Sequence, residues 1–185
     1  MVVLLGAALA AFGVYYFFLR SHDPVVNMGA DGRITAIDAG AAIVRLDGYQ
    51  YQGIPQQLRD QATQLLGADP KVQAVVQNFD VQAIAQNRTP VGAVVAVAVT
   101  PEAMADASFR ADLIAEAEDQ LNANVEEVKL ADKFAYSVEL EAGVFPGMPS
   151  ANLTFYFYEN VLVEIITLDQ VTGRTLTEQM LAASN

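Results

Sequence analysis

The sequence predicts an α+β protein, in which one N-terminal transmembrane helix precedes a soluble domain with a mainly antiparallel sheet and flanking helices. Three observations predict this. Residues 2–19 carry no charged side chain and would form a helix of roughly 27 Å, close to the thickness of a bilayer's hydrocarbon core. Apolar positions recur at helical spacing through the middle of the chain, whereas from Val125 onward they alternate as in half-buried strands. Helices and strands are thus largely segregated, which is the pattern of α+β rather than doubly wound folds. The implied domains are an anchor at 1–20, a juxtamembrane linker at 21–31 and a soluble domain at 32–185.

Within the apolar run, Tyr15, Tyr16, Phe17 and Phe18 precede Arg20, an order that fits an interfacial belt with a basic end reaching water. No Lys or Arg precedes the run, and its small-x-small triplet, Ala8 to Ala10, lies inside it. The reading is therefore a retained anchor and not a cleaved signal peptide. Gly6, Ala10 and Gly13 share one helical face, where small side chains let another helix approach closely. That face is expected to pack against other integral membrane proteins. The expected location is a membrane, single-pass. Arg20, Arg33 and Arg45 favour a cytoplasmic domain, but long domains are exported largely regardless of charge, so the side stays open.

Composition narrows the function classes. There are 22 acidic against 10 basic side chains, for a net charge of -12, and such a surface repels nucleic acid. The absence of cysteine removes disulfides, thiolate metal sites and cysteine nucleophiles. His22 is the single histidine and adjoins the anchor, so neither a Ser-His-Asp triad nor a His-rich metal site is expected. No cofactor is expected either.

Taken in order, Ile34 to Ile37 and Ala42 to Leu46 read as short strands among the turn pairs Asp31-Gly32, Ala39-Gly40 and Asp47-Gly48. Asp31, Asp38 and Asp47 are too far apart for a calcium loop. Pro55 opens a helix bearing Ile54, Leu58, Ala62, Leu65 and Leu66 on one face. A second helix is expected after Asp69-Pro70, from Val72, Val75, Val76 and Phe79. Residues 92–99, bounded by Pro90 and Pro101 and rich in valine, read as a central strand covered on both sides. Residues 107–121 form an amphipathic helix with Leu113, Ile114, Ala117 and Leu121 inward. On its outer side Asp112, Glu116 and Asp119 make a carboxylate stripe that could meet a basic protein surface, although such runs are more often solvated faces.

Four strands follow, at 125–130, 134–140, 153–158 and 161–168, with Glu159-Asn160 as a hairpin turn. Val144, Phe145 and Met148 are large apolar residues in a loop kept irregular by Pro146, Gly147 and Pro149, and are read as a partner contact. Thr175 and Glu178 form a capping box before a closing helix. From residue 92 onward this order is similar to that of the α/β/α sandwiches of small exported or membrane-tethered domains.

No nucleotide loop, nucleophile elbow, zinc signature or internal repeat occurs. The expected function is that of a non-catalytic, single-pass membrane accessory subunit that stabilises or scaffolds a larger membrane protein complex, of respiratory, photosynthetic, transport or secretion type. The alternative is a membrane-tethered ligand-binding or sensory domain using the tyrosines of the late strands. A deep pocket beside the sheet would favour that alternative, and two buried acids facing one cleft would favour an enzyme.

Overall fold

The computed structural model describes residues 39–66, 74–142 and 150–184. The apolar run with Gly6, Ala10 and Gly13, the belt from Tyr15 to Arg20, the linker, the strand expected at 34–37 and the loop residues Val144, Phe145 and Met148 lie outside them. One sheet dominates the rest. Its seven strands are β1 (Tyr49–Gly53), β2 (Val76–Gln86), β3 (Thr89–Val99), β4 (Glu126–Leu130), β5 (Lys133–Leu140), β6 (Ala151–Tyr158) and β7 (Val161–Thr167), in the order β1-β2-β3-β7-β6-β5-β4. Every neighbouring pair is antiparallel. Among the described residues the strands are accompanied by α1 (Gln56–Leu66), α2 (Pro101–Ala105), α3 (Ala107–Leu121) and α4 (Gln170–Ala183), and Ala74 and Val75 are helical too.

The chain builds this order by local steps. Asn87 and Arg88, both at positive φ, turn β2 into β3, the handedness that matches the twist of two antiparallel strands. After β3, Thr100 caps α2 and Asp106 caps α3, each by accepting a backbone N–H, from Ala103 and Ser108 respectively. Asn122, in the left-handed region at φ 46, ends α3. The chain then enters the far edge as β4 and returns strand by strand until β7 pairs with β3. Asn160 fastens that closure, since its side chain donates to the Val99 carbonyl at 2.8 Å and its own carbonyl accepts from the Val99 N–H.

Both faces of the centre are covered. Val95, Val97, Leu153, Phe155, Leu162 and Ile166 pack with Phe109, Leu113, Ala117 and Leu121 of α3 on the first face. Val94, Ala96, Val163 and Ile165 pack on the second with Leu176, Met180 and Leu181 of α4, together with a 3-10 turn, Ala39–Ala42. Burying apolar side chains on both sides explains why β3 and β7 read as near-continuous apolar runs, interrupted in the middle of β7 by Glu164.

The expected fold class needs correction. The described chain is mostly a seven-stranded antiparallel sheet with a few helices attached, rather than segregated helical and strand parts, and the residues of the expected membrane helix lie outside it. Among the described residues no helix is long and apolar enough to cross a membrane. Three local expectations also change. The second helix gives way to the strand β2 at Val76: Ala74 and Val75 are helical, and the rest of the expected helix through Phe79 is strand. Two register irregularities, at Val76/Asn78 and Ile84/Ala85, spoil its alternation, and two-sided contact puts Val81 in one core and Ile84 in the other, so its apolar spacing imitates a helix. Ala42 to Leu46 is a 3-10 turn and irregular chain, and the strand lies further on, at Tyr49–Gly53. The closing helix starts earlier than the Thr175 box: Asp169 caps it, accepting from the Thr172 N–H at 2.8 Å and its hydroxyl at 2.7 Å.

Candidate functional site

In a sheet, residues directly opposite one another share a face, so the register defines rows of side chains across it. One row on the α3 side reads Val81, Val95, Glu164, Phe155, Tyr136 and Glu127, from β2 to β4. Glu164 interrupts an apolar core. It is fully buried, and neither carboxyl oxygen has a hydrogen-bond partner. Burial alone pushes its pKa well above the ordinary carboxylate range, because an ionised carboxylate without water or counter-ion is far costlier than the neutral acid. A neutral acid here offers one O–H donor and acceptor capacity inside a dry layer.

Outward from Glu164 the row becomes aromatic. Tyr136 stacks on Phe155 with ring centroids 5.1 Å apart, and Phe157 meets both rings edge-on, at 6.2 Å and 6.4 Å. The Arg110 guanidinium, carried by α3, sits 4.9 Å above the Phe157 ring, a cation–π contact that holds the first turn of α3 to the sheet. Burial, then the neighbouring Glu127 carboxylate, raises the Tyr136 pKa. At the open end of β5, Phe134 is 63% exposed. The α3 face thus carries a buried, unpartnered acid at its centre and, beside the row, an aromatic patch open to solvent.

The expected tyrosine surface divides between the two faces. Tyr136 joins the aromatic row, but Tyr156 points to the α4 side, is buried, and leaves its hydroxyl without a partner. The carboxylate stripe is where the spacing placed it, with Asp112 and Asp119 exposed and Glu116 half-buried on α3. Among the described residues no group of acids or histidines has the geometry of a metal site.

A cleft of about 630 Å³ opens elsewhere, where the end of α3, the start of β4, the end of β5 and the start of α4 meet. Its lining is polar, with Asn122, Asn124, Glu126, Ser137, Glu139 and Gln170 among it. None of the aromatic residues lines it. Arg174 of α4 pairs with Glu126 at its rim.

The sequence reading passed over Glu164, although a signal was present. It is the one acid within Val161–Thr167, otherwise Val, Leu, Ile and a terminal Thr, and a lone charge in a two-sided apolar strand marks a buried titratable group. Comparison of the chain with family models, with curated proteins and with solved structures found no match.

Proposed function

We propose that this protein is a non-catalytic accessory subunit that stabilises or scaffolds a larger protein complex, binding its partner through the aromatic patch at the open end of β5. The observation that carries this reading is Phe134, 63% exposed beside the half-buried Tyr136 and Phe157. A large aromatic anchor held rigidly on a sheet and rimmed by Arg110 and Glu127 has the composition of an interface hot spot. Val171, also highly exposed, lies away from this cluster on α4 and is the natural control. An enzyme reading asks for two buried acids at one cleft; Glu164 is the one buried acid among the described residues, and it does not line the cleft.

The test is gentle extraction from the native source and identification of what accompanies the full chain. Defined partners in fixed proportion should be retained by wild type and by Val171→Ser, and lost by Phe134→Ser. A lone chain, or partners indifferent to Phe134→Ser, would overturn the reading.

The cleft favours a second reading, binding of a small polar ligand. Its carboxylate and amide lining suits a hydroxyl- or ammonium-bearing molecule. Saturable binding weakened by Glu139→Ala, with partners absent, would establish this reading instead.

A further inference from the structure

The two edges of the sheet are built differently. β4, at one end, carries Glu126, Glu127 and Lys129, and Glu126 is held by Arg174 of α4; charges of this kind keep an edge from pairing with other strands. β1, at the other end, is Tyr-Gln-Tyr-Gln-Gly. Residues 48–58 carry no charge at all, no register irregularity interrupts the β1–β2 pairing, and among the described residues no strand pairs with its outer side.

We propose that β1 pairs with β1 of a second copy of this chain, antiparallel about a two-fold axis through Tyr51, so that the two sheets become one. The argument for a second copy is self-complementarity, as a closed two-fold interface requires. About that axis Tyr51 faces Tyr51 of the other copy, Gln50 faces Gln52, and Tyr49 covers Gly53. Aromatic side chains meet, amide meets amide, and a tyrosine shields an edge glycine, each a favourable cross-strand pair. No like charges are opposed, which matters for a chain of net charge -12 that elsewhere repels its own copies. Gln50 is exposed and Gln52 half-buried, so both side chains are free to take part. The edge is distinct from the aromatic patch and does not depend on it.

The native chain has no cysteine, so single-cysteine variants report proximity without background. Full-length chains bearing Gln50→Cys and Gln52→Cys would be mixed in mild detergent and oxidised. Directly opposed residues stand about 4.5–5.5 Å apart and diagonal ones about 7–8 Å, and disulfides rarely span more than about 7 Å between Cα atoms. The mixture should therefore cross-link at least roughly tenfold faster than either variant alone, and than a Lys129→Cys control on the opposite edge. The Gln50→Lys/Gln52→Lys double variant, which sets lysine against lysine, should sediment as a monomer where wild type is a dimer, with an unchanged circular dichroism spectrum. Cross-linking no faster in the mixture than in the controls, or a monomeric wild type, would overturn the proposal. So would pairing in which Gln50→Cys links to itself.

Discussion

The sheet buries its Asn152 cluster and its one carboxylate on opposite terms. On the α4 side Asn152 donates to the Ser137 hydroxyl and the Val138 carbonyl, both at 3.1 Å, while its own oxygen accepts from Thr154 at 2.8 Å. Thr167 bonds the Asp169 carbonyl at 2.7 Å and Thr177 that of Gly173 at 2.8 Å. Gly173 is the residue that lets α4 settle on this cluster, for a Cβ there would lie 2.5 Å from the Asn152 oxygen and 2.8 Å from the Thr167 hydroxyl. On the α3 side Glu164 is buried as deeply and bonds to nothing. The same sheet therefore distinguishes a polar cluster used to position a helix from a polar group retained at a cost to stability. Partnered polar groups specify packing, whereas a buried carboxylate without a partner marks a candidate site.

Substitutions at four positions would break or sharpen that contrast. The largest effect belongs to Glu164 and depends on pH. Above the ordinary Glu value of 4.5, the unfolded chain loses a proton that the folded protein keeps, so stability is full below that value and falls as pH rises toward the folded pKa. The slope is about 1.4 kcal/mol per pH unit over the range between the two pKa values. Urea titrations should show this loss in wild type and not in Glu164→Gln, and Glu164→Leu should be the more stable protein at pH 7. Next, Gly173→Val should cost about 3 kcal/mol by driving α4 off the Asn152 and Thr167 oxygens, read as a fall in denaturant midpoint without change in slope.

Asn152→Ala should cost about 2 kcal/mol, because it strands the Ser137 and Thr154 hydroxyls in a dry layer. Its sign opposes that of Glu164→Leu, and equal signs would erase the distinction between the cluster and the lone acid. Smallest is Asp169→Ala, at about 1 kcal/mol for a lost N-cap. Hydrogen bonds from the Thr172 N–H and hydroxyl lower the Asp169 pKa, so its contribution is present above the ordinary Asp value and lost as pH falls through the lowered one. The acid limb of the stability curve should therefore flatten in this variant, opposite in direction to Glu164.

Much of the sheet was legible because alternation and turn residues act locally. The strands β4 to β7 and the helix α3 fall where the apolar spacing puts them, and the central placing of β3 follows from its lack of any polar face. β2 was not legible as a strand. A strand covered on both faces and shifted in register at two places has no period of two to detect, and Val76 and Phe79 merely continue the apolar spacing of the helical residues that end at Val75. β1 escaped notice because five residues between Gly48 and Ile54 give too short a pattern. The reach of Arg110 to Phe157 and the row from Glu164 to Tyr136 depend on which strands lie side by side. That order is set by the long crossover through α3, which local propensity does not encode. The acid within β7 was visible in the sequence, but its lack of a partner was a tertiary fact.

The most direct test of this account is the protonation state of Glu164 at neutral pH, read by infrared difference spectroscopy between wild type and Glu164→Gln. The account predicts a protonated-carboxyl C=O band in wild type at pH 7 that is absent from the variant. Its frequency should be that of an acid with a weak hydrogen bond or none. Disappearance of that band on raising the pH through the ordinary glutamate range would contradict it, since Glu164 would then be solvated or paired and would no longer differ from the partnered Asn152 cluster.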